Sequence, residues 1–413
     1  MRHTLMVLRS RIVRAAAAAG PRLGLAAAVG LATAERVRTS FRRGRRARPR
    51  LVWGPVPIIS IKYWSEAMAR AGYESRTAVK EHYVINRRED FDVYREDFLG
   101  EGPRGERFRD LAFFMWALRH GDVFFRFFDG GFLRFTEFEE WEDRLMKLAG
   151  KKLIVSPYGA DVAVKGHLAD VGERLYTDYP VLEEMSDAIE AQVDRTAAEA
   201  DLIVRNWQLG YIPRYDVVWL NQLAIDIALW SEPGEDCGFN GSDGPVTILH
   251  TPNHRNIKGT DDLERAIAQL KGEGLQIDFQ MLQGRPNDEI REAVKASDVI
   301  ADQLLLPGYA MAAVEAMAVG KPVMVNMGAL PGELAATEAA RQCPAVDSNP
   351  DNAVDVLRRL VTEPALRQEL GSAGRGFVER FHDYPTVART WDELIKHVWL
   401  GKPIPQPLLP RRR

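Results

Sequence analysis

The strongest constraint on how this chain can fold is a regular alternation of short apolar runs with helix-length segments, broken once near residue 240 and then resumed. In the first series, residues 51–53, 81–85, 122–128, 152–156 and 202–204 read as strands. Residues 61–71, 108–119, 137–149 and 185–199 read as the helices between them. In the second series, strands fall near Val246, Ile277, Val299, Val323 and Ala345, again with helices between. Strands that alternate with helices predict parallel sheets covered by helices on both faces. The stretch 232–245, rich in glycine and acidic residues, reads as the linker between two such units.

Length agrees with this division. A chain of 413 residues with 46% hydrophobic content can bury two sizeable cores, because domains commonly hold about 100 to 200 residues. The expected organisation is a basic extension over 1–50, one α/β domain over 51–235, a second over 236–384, and a last helix with a tail over 385–413. The formal charge of −3 hides an asymmetry: residues 1–50 hold thirteen arginines against the single acid Glu35, so the rest carries 42 basic and 57 acidic residues. A binder of nucleic-acid backbone would carry its basic excess on the folded body, so nucleic acid is not an expected partner. Cys237 and Cys343 lack metal-ligand spacing and favour a reducing compartment, hence a cytoplasmic setting.

The first fifty residues stand apart. The Ala-rich run 15–34 is interrupted by Gly20, Pro21 and Arg22 and is a poor transmembrane candidate. Three readings stay open for this head. Its arginines, with Leu5, Met6, Val7, Leu8, Ile12 and Val13, can hold an anionic membrane surface as a peripheral contact; it can be a flexible basic extension; or it can be a cleaved signal.

Chemistry concentrates in the second half. Residues 298–306 read as a strand, Pro307 and Gly308 break it, residues 311–319 form a helix ending at Gly320, and Pro322 opens the next strand. Backbone N–H groups at such a helix start favour anions, and the small Gly308 and Ala310, beside Tyr309 and Met311, let a diphosphate approach the main chain. Glu315, about one turn inside, can accept two hydrogen bonds from the vicinal hydroxyls of a ribose. Upstream, after a strand near 246–250, Arg255 and Lys258 lie three apart in a loop and can converge on one diphosphate, the first through its planar fork and the second as a point charge. His250 and His254 are separated by Pro252 with no Glu after the first, so no zinc helix, and no metal ligand set, is read here. In the first half, Tyr158 and Asp161 follow an apolar strand, and the turn Asp129-Gly130-Gly131 follows another.

The segment 307–322 resembles the donor-site motif of family 4 retaining glycosyltransferases, where two glutamates eight apart flank a Gly-aromatic-Gly turn before Ala-Met-Ala-x-Gly-Lys-Pro. The second glutamate corresponds to Glu315, and the first to Pro307; Asp302 is either a substitute carboxylate or a plain strand-end aspartate. The family also places Arg and Lys in the loop of Arg255 and Lys258. Its His-Gly-x-Asp loop resembles residues 158–161, with Tyr158 in the histidine position and Asp161 orienting either acceptor or loop. The resemblance implies the GT-B fold, two Rossmann-like parallel-sheet domains facing a cleft, with the acceptor on the first, the donor on the second, and the last helix crossing back. It implies transfer of a sugar from a nucleotide sugar to a glycan, lipid-linked or small-molecule hydroxyl with retention, the donor being a substrate and no cofactor or metal being required. An inactive nucleotide-sugar-binding protein and a nucleotide-sugar epimerase are the alternative readings on the same fold.

Overall fold

Residues that alternate between two apolar faces need cover on both sides, and the strands of this chain find it twice. The computed structural model describes residues 21–45, 48–99, 103–168, 170–206, 210–230, 244–328 and 330–409. The first sheet contains β1 (Leu51–Trp53), β2 (Ser75–Val79), β3 (Val93–Tyr94), β4 (Val123–Arg126), β5 (Lys152–Val155), β6 (Leu202–Arg205) and β7 (Val217–Val218). All are parallel, in the order β3-β2-β1-β4-β5-β6-β7. Val52, Phe124, Leu153 and Ile203 pack to one face, under the helices Pro103–His120 and Ser186–Glu199. Their neighbours Leu51, Trp53, Phe125, Ile154 and Leu202 pack to the other.

The second sheet holds β8 (Val246–His250), β9 (Ile277–Met281), β10 (Val299–Ala301), β11 (Val323–Val325) and β12 (Val346–Asp347), all parallel in the order β12-β11-β10-β8-β9. Leu249, Ile300, Val323 and Val325 face one core, and Ile248, Val299, Ala301 and Met324 face another. In both sheets the chain reverses its direction of strand addition once, between β1 and β4 and between β8 and β10. Open α/β sheets bind ligands beyond the carboxyl ends of their strands at such a reversal.

The two domains are joined by the helix Tyr384–Leu400, which runs back onto the first domain. Its Trp391 lies 5.2 Å, centroid to centroid, from Trp53 and 5.5 Å from both Trp64 and Phe125, in edge-on pairs that add about 0.5–1.5 kcal/mol each beyond area burial. Trp64 anchors this seam further by donating its indole N–H to the Gln222 carbonyl at 2.6 Å. Ile225 makes a single parallel bridge to Asp383, where the chain crosses back.

Three local expectations change. Residues 81–85 form no strand: Val84 is 86% exposed, and the place beside β1 belongs to Ser75–Val79, whose polar first residues conceal it. The apolar run after Asp298 is a strand only over β10. Beyond it, Leu304 and Leu305 are buried in a loop because Asn326 Nδ2 donates to both of their carbonyls, at 3.2 and 3.1 Å, and Leu304 N–H donates to the Lys258 carbonyl at 2.9 Å. Arg255 and Lys258 lie on a single helical turn, Arg255–Lys258, rather than in a loop.

Within the basic head, residues Pro21–Gly44 form a helix against Pro103–His120 and Glu142–Leu148. Ala28 and Ala32 are fully buried, and Lys151 Nζ reaches Thr39 Oγ1 at 3.0 Å and lies 3.5 Å from the buried Glu35. Asp122, in turn, accepts from the Arg50 guanidinium at 3.0 and 2.9 Å. The apolar positions before Arg14 and most of the linker 232–245 lie outside the described residues. No described helix is long and apolar enough to cross a membrane.

Candidate functional site

The carboxyl ends of β8 and β10 carry a connected polar network. His250 closes β8 and is buried; its Nδ1–H donates to the Ala301 carbonyl at 2.8 Å, which leaves Nε2 to accept from the Thr260 hydroxyl at 2.9 Å. Burial pushes this imidazole down to about 4, so it stays neutral and works as a structural clamp. The clamp fixes the turn Lys258-Gly259-Thr260 against β10. Lys258 Nζ then reaches Asp302 Oδ1 at 2.7 Å, and the Ala310 N–H donates to Asp302 Oδ2 at 2.9 Å. One carboxylate therefore ties the cation to the N-cap amide of the helix Met311–Ala318. The amides that follow in the first turn have no intrahelical acceptor and point out of the helix start, as anion sites require.

Glu315 sits on that helix, only 4% exposed, and accepts from Asn287 Nδ2 at 3.0 Å. Burial is the main cause that lifts its carboxyl to about 8, and the nearby Asp302 adds to the effect. Asn287 in turn accepts from the Tyr63 hydroxyl of the first domain at 3.4 Å, so this acid lies at the seam between the domains. Arg87 of the first domain also pairs with Asp288, at 2.7 Å. Sequence reading did not single out Asn287; the signal present was a helix start just after Pro286.

Not every expected donor-side residue joins this group. Arg255 turns away from Lys258 and donates to Asp261 and Glu264, each at 2.9 Å. Acidic neighbours one and two turns ahead on the next helix capture the guanidinium. The Tyr309 ring is fully buried against Phe377, with its hydroxyl 3.1 Å from His382 Nε2, so its place is in the core. Gly308 has φ 85° and donates its N–H to the Asn326 carbonyl at 2.7 Å, which sets the sharp turn before the helix. Met311 is half-buried and touches apolar clusters of both domains.

In the first domain, Tyr158, Asp161 and Asp129 come together beyond β4 and β5. Asp161 is buried and all of its hydrogen bonds run to backbone: Oδ2 accepts from Phe128 N–H at 3.0 Å, and Oδ1 from Tyr158 and Gly159 N–H at 3.0 and 2.8 Å. It ties two loops together. The Tyr158 hydroxyl donates to Asp129 Oδ2 at 3.2 Å, and burial raises it far above the ordinary phenol range. Asp129 is different, because its Oδ1 is buried with no hydrogen-bond partner. Burial raises both carboxyls, and the charge of Asp129 raises that of Asp161 further. The turn bearing Asp129 is held from below by Glu142, which accepts the amides of Phe132 and Leu133 at 3.0 and 2.7 Å; a Cβ on Gly131 would fall 1.7 Å from Glu142 Oε1. Tyr158 and Met311 pack against the same apolar cluster, so this group and the helix start share one seam.

Residues 249–377, which include every donor-side residue discussed, match the family model described as glycosyl transferases group 1. Solved structures of similar shape include sucrose-phosphate synthase from Thermosynechococcus elongatus, with 14% identity, 86% of this chain and 100% of that chain covered, and a TM-score of 0.57. Another is HepE from Anabaena in complex with UDP and glucose, with 14% identity, 84% and 99% covered, and a TM-score of 0.53. A glycosyltransferase from Rickettsia africae follows at 11% identity, 86% and 99% covered, and 0.52. The fold is GT-B. In a GT-B chain two strand-end crevices face each other, and here those crevices hold Asp129 on one side and Lys258, Asp302 and Glu315 on the other. A cavity of about 620 Å³ is lined instead by residues such as Asn221, Glu333, Arg341 and Leu408. None of the charged groups described above lines it, and both strand reversals point to the seam rather than to this hollow.

Proposed function

We propose that this chain transfers a glycosyl group from a nucleotide sugar to an acceptor hydroxyl. The observation that carries the reading is the meeting of Lys258 and the start of the helix Met311–Ala318 on Asp302, one turn from the buried Glu315, inside the region that matches glycosyl transferases group 1. The pyrophosphate lies against the helix start, where Lys258 and the first-turn amides stabilise the charge that grows as it leaves. Glu315 accepts hydrogen bonds from the ribose hydroxyls, and Arg255 joins the diphosphate by leaving Asp261 and Glu264. On the facing side, Asp129 Oδ1 accepts a hydrogen bond from the acceptor hydroxyl, while Asp161 and Tyr158 hold the loops that place it.

Transfer proceeds with retention and needs no metal. The bond between the anomeric carbon and the diphosphate oxygen breaks, the acceptor oxygen bonds to that carbon on the same face, and the acceptor proton passes to the departing diphosphate. Domain closure excludes water from this step. The test is a thermal-shift panel of UDP-, GDP- and ADP-sugars on the purified protein, beginning with UDP-glucose, followed by turnover with the donor that binds. Stabilisation by one donor and product formation with an added alcohol or glycan acceptor are expected. Binding without turnover would remove the catalytic reading, and release of epimerised free sugar would replace it.

A further inference from the structure

We infer that the outward face of the helix Pro21–Gly44 is a docking surface for an anionic lipid bilayer. An ordinary surface helix buries one stripe and presents polar residues on the other. This helix buries Gly24, Ala28, Ala32, Glu35 and Thr39, yet its opposite side is also apolar. Placed at about 100° per residue, Leu23, Ala26, Ala34, Val37 and Phe41 form one stripe directed away from the protein. The large members are open to solvent, Leu23 at 50%, Val37 at 70% and Phe41 at 60%.

Arg38 and Arg45 border that stripe on one side, Arg38 beside Glu35 at 2.5 Å, while Arg36 and Arg43 lie farther round on the other, toward the protein body, where Arg36 Nη1 donates to the Lys147 carbonyl at 3.1 Å and the Arg43 guanidinium sits 5.8 Å from the Trp399 ring centroid. An apolar centre with cationic flanks is the pattern of a helix that lies in the plane of a membrane interface, its apolar side chains among the acyl chains and its cations at the phosphates. On the neighbouring segment Leu148 and Trp141 are 39% and 36% exposed, and Lys147 pairs with Glu199. At the far end of the stripe a cavity of about 290 Å³ is walled by Arg43, Lys402, Trp399 and Leu400, a polar and cationic hollow suited to a phosphate headgroup.

Charge selects the occupant. The described part of the head is basic, whereas the chain after residue 50 has 57 acidic against 42 basic residues. An anionic bilayer therefore attracts this face and repels the rest, which sets one orientation. Contact is possible without blocking the cleft, because Glu35, Thr39 and Arg42 sit beside Lys151 and Asp122, which precede β5 and β4, while the groups assigned to transfer lie at the opposite ends of the strands.

The experiment is co-sedimentation of the full chain with vesicles of phosphatidylcholine alone and of phosphatidylcholine mixed with phosphatidylglycerol. Binding to the mixed vesicles, weakening as salt rises, is expected. The exposed pair Val37→Asp with Phe41→Asp should lower the partition coefficient at least tenfold, and Arg36→Glu with Arg43→Glu should remove its dependence on phosphatidylglycerol. Both pairs should keep the wild-type circular dichroism and the wild-type thermal shift with donor sugar, since neither touches the cleft. Equal binding to both vesicle types, no binding to either, or wild-type partitioning of Val37→Asp with Phe41→Asp would overturn the proposal; the last result would assign any membrane affinity to the segment before Pro21.

Discussion

Replacing Glu315 with Gln should make the protein more stable near neutral pH while weakening its hold on a nucleotide sugar. The carboxyl is buried and pushed up to about 8, against 4.5 for an ordinary glutamate. In the folded state it keeps its proton until pH 8, whereas in the unfolded chain it releases it above 4.5. Its contribution is thus fully present below 4.5 and is lost as pH rises through 8. Each pH unit inside that window corresponds to about 1.4 kcal/mol, so between pH 5 and 7 the wild type should lose roughly 3 kcal/mol that the variant keeps. Gln preserves the side-chain oxygen that accepts from Asn287, so the two proteins should be nearly equal at pH 5. Urea denaturation at pH 5, 6 and 7, with m-values compared so that the same transition is followed, reads the difference directly. Calorimetry at pH 9, where the Glu315 carboxylate is ionised, with the donor found in the sugar panel should show weaker binding by Glu315→Gln, because an amide accepts fewer hydrogen bonds from a vicinal diol than a carboxylate does. Parallel stability curves for the two proteins across this pH range would refute the argument that burial without a compensating charge governs this acid.

Three other outcomes can be checked independently. Lys258→Ala should lower kcat by about 10² to 10³, and Arg255→Ala, whose guanidinium rests on Asp261 and Glu264, should cost less; steady-state rates decide, and a reversed order would show that Arg255 reaches the diphosphate first. Asp129→Asn should reduce kcat/KM for the acceptor by about 10 to 10² with donor affinity unchanged, whereas equal losses for donor and acceptor would mean that the turn carrying it had collapsed. Gly371→Ala should destabilise the fold by about 3 kcal/mol or more, since its Cβ would lie 2.0 Å from the Gly320 carbonyl oxygen; a thermal midpoint within a degree of wild type would show that the helix Pro364–Phe381 can move aside.

The architecture was legible in the sequence because alternation writes itself into strands buried on both faces. Val123 to Phe128 is an unbroken apolar run apart from Arg126, and every one of these side chains is buried in the structure. Signals failed where burial and periodicity part company. Ser75–Val79 begins with Ser, Arg and Thr and still pairs with β1, because Trp53 Nε1 donates to Ser75 Oγ and Asp92 accepts from Thr77, satisfying the polar groups locally. Leu304 and Leu305 are apolar and buried yet lie in a loop, since Asn326, distant in sequence, supplies their carbonyls with donors. Two-residue strands such as Val93–Tyr94 and Val217–Val218 are too short to imprint any period.

Local motifs located the candidate site, but its connections depend on contacts across the fold. Glu315 and Lys258 were legible as a helix acid and a loop cation; that Asp302 joins Lys258 to the Ala310 amide depends on the neighbouring of β8 and β10, which no spacing announces. The same limit separates Arg255 from Lys258, three residues apart on one turn but captured by different carboxylates. On the acceptor side, Asp161 matches the family's loop pattern, yet three backbone amides surround its two oxygens, and the oxygen left without a partner belongs to Asp129. A carboxylate saturated by amides can only fix backbone, while one with an unsatisfied buried oxygen incurs a desolvation cost that a substrate hydroxyl can relieve. That asymmetry, which appears only once the chain is folded, is the physical reason to place the acceptor on Asp129.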